Sequence, residues 1–196
     1  EYHICIDWDS HFHALLIETT KGATEAENVD VIFDEVAIDG VQAIDFCMRV
    51  VRMCERWGID RKMPNLKVWC DAMPVASCRI AYSAEFWRGK VNYRYLRDDD
   101  KENGIRTVRW RLGSPAETRR VFLAERMKRS PSKRSIFRSL QSYKWQTRNI
   151  DGRVVQTNKV SQDSIYSHAC DALRYYLWQR YWHLRWDAGD AVTSYR

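Results

Sequence analysis

Ser167-His168-Ala169-Cys170-Asp171-Ala172-Leu173-Arg174-Tyr175 lies near the end of the 196-residue chain. Ser164 or Ser167 is a natural N-cap, and Leu173, Tyr176, Leu177 and Tyr181 supply the apolar positions of a last long helix. On such a helix His168 and Asp171 stand three residues apart and share a face. The Asp171 carboxylate then sits at the edge of a buried stripe. Taken alone, His168 reads as a satisfied core or surface histidine. Asp171 alone reads as a surface charge paired with Arg174. Two other aspartates change the weighing.

Tyr2-His3-Ile4-Cys5-Ile6-Asp7 alternates like a half-buried strand, and Asp7 stands where the apolar run emerges. Leu66-Lys67-Val68-Trp69-Cys70-Asp71 repeats the pattern and again ends in Asp. A carboxylate at the end of a buried strand is costly unless paired or metal-bound. In open sheets, ligand sites gather at the carboxyl ends of strands. Asp9, followed by Ser10, fits the start of a loop. Asp7, Asp71 and Asp171, far apart in sequence and on three elements, read as one acidic cluster assembled by the fold. Clustered carboxylates repel unless cations hold them, and hard divalent ions such as Mg²⁺ and Mn²⁺ prefer oxygen ligands.

The intervening sequence predicts a mixed α/β sheet. Ala14–Thr20 and Val29–Ile38 read as strands. Val41, Ile44, Cys47, Met48, Val51 and Cys54 follow helical spacing up to Trp57-Gly58. Strand, strand, strand, helix, strand opens an α/β fold. Ala76–Arg88 reads as a helix, Val91–Leu96 as a strand, Asp98–Gly104 as a polar loop and Ile105–Leu112 as another strand. Ser114-Pro115-Ala116-Glu117 is a helix start with the elements of a capping box, and that helix is expected to run to about Arg129. Asn149–Asn158 reads as a hairpin turning at Asp151-Gly152. The last ten residues are expected to fray.

The chain is 45% hydrophobic, which suffices for one sizeable core and one domain. No apolar run is long enough to span a membrane, and no signal-peptide pattern opens the chain. Cysteines at 5, 47, 54, 70, 78 and 170 form no CxxC pair and mostly sit in apolar patterns, so buried reduced thiols are expected. The net charge of +6 is unevenly spread. Residues 1–60 hold 4 Lys and Arg against 13 Asp and Glu, whereas residues 119–148 hold 10 against 1. This predicts an acidic pole and a basic face for a polyanion. The candidates for sequence-independent phosphate contacts are Arg119, Arg120, Arg126, Lys128, Arg129, Lys133 and Arg134. Tyr143 and Trp145 are expected to pack rather than bind.

Asp7 and Asp71 after their strands, followed by the His-x-x-Asp-Ala-x-Arg-Tyr pattern of His168–Tyr175, resemble the C-terminal nuclease domain of the large terminase subunit of tailed bacteriophages. The resemblance extends over essentially the whole chain and is least specific over 76–130. It implies an α/β RNase H-like fold, with a mixed central sheet and helices on both faces. It implies a metal-dependent endonuclease that cuts concatemeric viral DNA in genome packaging, using Mg²⁺ or Mn²⁺, two ions in all. By motif position Asp7, Asp71 and Asp171 are the metal-binding triad and His168 an accessory beside them, with Asp163 a further acidic candidate. It implies double-stranded DNA, the terminase ATPase domain, the portal and the small terminase subunit as partners, and the host cytoplasm as the place of action. No GxxxxGK[ST] phosphate-binding loop is present, so the expectation is a nuclease domain without its ATPase. The alternatives are another RNase H-like nuclease, of the junction-resolvase or transposase type, and a non-catalytic module docking on DNA or a motor.

Overall fold

The computed structural model describes residues 1–8, 11–71, 83, 86–94, 98–113, 118–143, 145–150, 153–160 and 164–187. Six strands form one sheet: β1 (Tyr2–Asp7), β2 (His11–Thr20), β3 (Val29–Asp39), β4 (Leu66–Asp71), β5 (Val91–Arg94) and β6 (Val121–Leu123). Their order is β5-β4-β1-β2-β3-β6. β2 is antiparallel to β1 and β3, whereas β4 runs parallel to β1, β5 to β4 and β6 to β3. Among the described residues four α-helices accompany it: α1 (Ala43–Arg56), α2 (Asp98–Leu112), α3 (Ile136–Ser142) and α4 (Ser164–Asp187). A separate antiparallel hairpin joins β7 (Trp145–Ile150) to β8 (Arg153–Val160), as its sequence predicts; the turn at 151–152 lies outside the described residues.

The alternation of β1 divides the core between two faces. Ile4, Ile6, Leu16, Val68 and Cys70 pack with Phe46, Val50 and Met53 of α1. Cys5, Leu15, Ile17, Ile32 and Trp69 face the other way, onto Ala172, Leu173, Tyr176 and Leu177 of α4. Helices therefore cover both faces of the mixed sheet. The five described cysteines are buried thiols, and Cys78 lies outside the described residues.

Two sequence expectations are corrected. Asp98–Leu112 is one helix, not a polar loop followed by a strand. Arg109 and Arg111 lie in its last turn, where the helix dipole favours positive charge. Gly113, at φ 77°, closes it by donating to the carbonyls of Arg109 and Trp110. The helix expected from Ser114 to about Arg129 is not formed. Residues 114–117 lie outside the described residues; beyond them the chain adds β6 to the edge of β3, then makes a 3-10 turn over Glu125–Arg129. Pairing of Val121–Leu123 with Asp30–Ile32 overrides local helix propensity there. The expected helix at 76–88 falls almost wholly outside the described residues.

Candidate metal centre and its surroundings

β1 and β4 are parallel and in register, with Ile6 opposite Cys70. The next residue on each strand is an aspartate, so Asp7 and Asp71 stand at the same level at the carboxyl ends of neighbouring strands. Asp7 is buried, at 5% exposure. Its Oδ2 lies 2.7 Å from Nδ1 of the equally buried His168 on α4. The helix is held there by its apolar face: Ala169, Ala172, Leu173 and Tyr176 are buried against the sheet.

Asp171 follows one turn later, roughly 4.5 Å further along the helix axis and about 60° round from His168. Its Oδ1 accepts a hydrogen bond from Arg174 Nε at 3.0 Å. That guanidinium is itself buried and stacks over Tyr175, 4.7 Å from its ring centre. Burial works against the Arg174 charge, but the Asp171 carboxylate and its hydrogen bond, together with Tyr175 and Tyr143, outweigh it, so its pKa lies above the ordinary arginine value. Burial, with Asp171 close by, pushes the Cys170 thiol and the Tyr143 phenol upward; both stay neutral.

Three histidine–carboxylate pairs lie around this corner, and of their histidines sequence reasoning singled out only His168. Besides His168–Asp7, His11 Nδ1 meets Asp39 Oδ1 at 2.7 Å and His13 Nε2 meets Glu35 Oε2 at 3.2 Å. His13 is the cross-strand neighbour of Asp7, and the His11 ring lies 5.2 Å from that of His168. Glu35 also accepts from the Ile136 amide at 2.7 Å, which ties the start of α3 to this end of the sheet. The available signal is the His-x-His alternation at 11 and 13, which puts both rings on one strand face.

The expected separation into an acidic pole and a basic face is partly used up inside the fold. Asp34 pairs with Arg56 and Arg126, and Arg126 stacks on Trp57 at 4.9 Å. Asp39 pairs with Arg134, which also reaches His11 Nδ1 at 3.0 Å. Lys128 pairs with Glu125. Arg119, Arg129 and Lys133 are exposed and have no ion pair among the described residues, and Arg120 is half-buried. The seven candidates thus do not form one uniform surface.

Among the described residues, no three His, Cys, Asp or Glu side chains form a metal-sized group. Asp163 lies outside the described residues. The structure brings His168 against Asp7 and sets Asp71 at the end of the neighbouring strand, with Asp171 one turn further along α4; carboxylate oxygens are the donor type that a hard divalent cation prefers. Asp7 has its carboxylate in a buried setting, where an ionised oxygen ligand demands a compensating charge.

The sequence matches no protein-family model and no curated protein. Solved structures do match. The nuclease domain of the large terminase of bacteriophage SPP1, with manganese bound, superposes with a TM-score of 0.55 at 15% identity, covering 89% of this chain and 84% of that domain. The chain has the fold of a large-terminase nuclease domain. The large terminase of a thermophilic bacteriophage gives a TM-score of 0.61 at 19% identity in one crystal form and 0.56 at 17% in another. The match covers 90% of this chain but only 38% and 39% of those terminase chains. The mixed sheet clad by helices is therefore the α/β architecture that the sequence predicts. No helix among the described residues is long and apolar enough to cross a membrane.

Proposed function

We propose that this chain is a metal-dependent DNA endonuclease of the large-terminase type. It cuts concatemeric viral DNA during genome packaging in the host cytoplasm. One observation carries the reading: α4 delivers His168 onto Asp7 at the carboxyl end of β1, next to the strand that ends in Asp71. The manganese bound to the SPP1 domain of the same fold supports a divalent ion.

In this reading Asp7, Asp71 and Asp171 hold the cations, with Asp163 a further candidate ligand. A pair of Mg²⁺ or Mn²⁺ ions would supply an activated water and stabilise the departing 3′ oxygen. His168 fixes the orientation of the Asp7 carboxylate through Nδ1. The buried walls of the two core clusters hold β1 and α4 rigid, so that the carboxylates are positioned before substrate arrives. Exposed Arg119, Arg129 and Lys133 grip phosphates without reading sequence, and Arg134 joins them from beside His11, whose ring lies against that of His168. The terminase ATPase domain, the portal and the small subunit are the partners this function requires.

The test is cleavage of supercoiled plasmid with Mn²⁺, with and without EDTA, by wild type and by Asp7→Ala, Asp71→Ala and Asp171→Ala. Wild type cuts only with metal and the variants do not. Cutting that survives loss of any one of the three overturns the site assignment. A strong preference for four-way junctions over linear duplex would favour a resolvase, and DNA binding without any cutting a docking module.

A further inference from the structure

Arg174 engages Asp171 from an unusually constrained position. Its side chain is 6% exposed, and it crosses α2 at Gly104. A Cβ on Gly104 would lie 2.8 Å from Arg174 Cγ and 2.9 Å from Cδ. These are stem atoms of a buried side chain, not a flexible tip, so they cannot swing aside. A glycine inside a helix lowers its stability. Here it gives the arginine stem room to pass, which accounts for its presence in mid-helix.

We propose that Arg174 is a resident counter-cation for Asp171, locked in place by Gly104, that holds this carboxylate when no metal is bound and weakens the metal binding it opposes. The proposal rests on Asp171 being a metal ligand. Carboxylates brought together without cations repel one another. At this corner His168 lies against Asp7, and Arg174 neutralises Asp171. The acidic site can therefore assemble with the fold rather than with the metal. The same fixed positive charge repels an incoming cation. Arg174 is thus a positioning residue with two opposite effects, stabilising the metal-free protein and loosening its grip on the ion.

The experiment is Mn²⁺ titration calorimetry with thermal unfolding, each with and without Mn²⁺, on the whole chain. Arg174→Gln should unfold at lower temperature without metal, bind Mn²⁺ roughly tenfold tighter, and gain more from added Mn²⁺ than wild type does. Gly104→Ala should shift all three readouts in the same direction. In an Arg174→Ala background, which lacks Cγ and Cδ, it should no longer lower the unfolding temperature, because the two changes act through one contact. Arg174→Lys keeps the charge and should stay near the wild-type affinity; with Gly104→Ala it carries the test if Arg174→Gln does not fold. Unchanged or weaker Mn²⁺ affinity in Arg174→Gln and Gly104→Ala, with Asp171→Asn clearly weaker, sinks the counter-cation role and leaves the metal site standing. Mn²⁺ affinity indifferent to Asp171→Asn removes Asp171 from the site and the proposal with it.

Discussion

His168 Nδ1 and Asp7 Oδ2, 161 positions apart in sequence, meet at 2.7 Å and join the last helix to the first strand. Both side chains are more than nine-tenths buried. A carboxylate that holds an imidazole fixes both its own orientation and that of the ring. On the proposed reading, Asp7→Ala is expected to abolish Mn²⁺-dependent nicking. His168→Ala should cost less, about 10- to 100-fold, the usual size of an orienting partner's loss. Initial nicking rates on supercoiled plasmid decide this. A His168→Ala protein as active as wild type would show that the pair is structural only.

At the far end of the sheet a second buried acid plays a different part. Asp30 is fully buried, is salt-bridged to Arg111 at 3.0 Å, and accepts hydrogen bonds from the hydroxyls of Thr19, Tyr176 and Tyr181. Arg111 also donates to the carbonyls of Ala26 and Asn28 and lies 4.0 Å over the Tyr181 ring. Every partner is another part of the fold, so the cluster ties α2, α4 and the start of β3 together. Asp30→Ala leaves a buried guanidinium without its charge partner, and about 3–5 kcal/mol of stability should be lost. Chemical denaturation measures it. A loss below about 1 kcal/mol would mean that water replaces the carboxylate.

His3 makes the stability of this same end depend on pH. Its ring is buried, takes a hydrogen bond from Trp69 Nε1 at 3.0 Å, and abuts Arg180. Burial, then the Arg180 and Lys67 charges, lower its pKa to about 2. The folded state therefore excludes a proton that the unfolded chain accepts near pH 6.5. The stabilisation is complete above about pH 6.5 and is lost as pH falls toward the folded value. One excluded proton gives a slope of about 1.4 kcal/mol per pH unit. His3→Asn keeps an acceptor for Trp69 and should remove this slope. Urea midpoints between about pH 4 and 6 test it, since that window lies between the two values. Equal slopes in the two proteins would acquit His3.

The parts legible in the sequence are those with a strong local period. The alternation of Tyr2–Asp7 and Leu66–Asp71, the helical spacing through Cys54 and the helix of His168–Tyr175 all appear as read. The in-register pairing of β1 with β4 makes the two terminal aspartates neighbours. Where the reading fails, distant contacts decide the structure. Gly104 reads as a loop residue because its reason for being glycine is Arg174, 70 positions away. Val121–Leu123 reads as helical because the partner that draws it into a strand is β3. The carboxylates that orient His11 and His13 come from β3, a relation set by strand register alone. Charge runs mislead for a similar reason, since three acids of the first sixty residues, Asp30, Asp34 and Asp39, are answered internally by Arg111, Arg126 and Arg134.

That internal pairing divides the basic candidates by consequence. Arg126 is bound to Asp34, which it shares with Arg56, and stacked on Trp57, so its guanidinium is already engaged within the protein. Arg129 and Lys133 are exposed and have no ion pair among the described residues. DNA affinity that comes from displaced counterions should follow the second kind of residue. Arg129→Ala and Lys133→Ala are each expected to weaken duplex binding equally for all sequences and to reduce the salt slope, the fall of log affinity with log salt, by about one. Arg126→Ala should leave that slope within error and show instead as a small loss of thermal stability. Fluorescence anisotropy of labelled duplex across about 50–200 mM salt, a range over which phosphate contacts differ measurably, separates the two classes. If Arg126→Ala lowered the slope as much as Lys133→Ala, the Asp34 pair would have to open on DNA, and the basic segment would act as one surface after all.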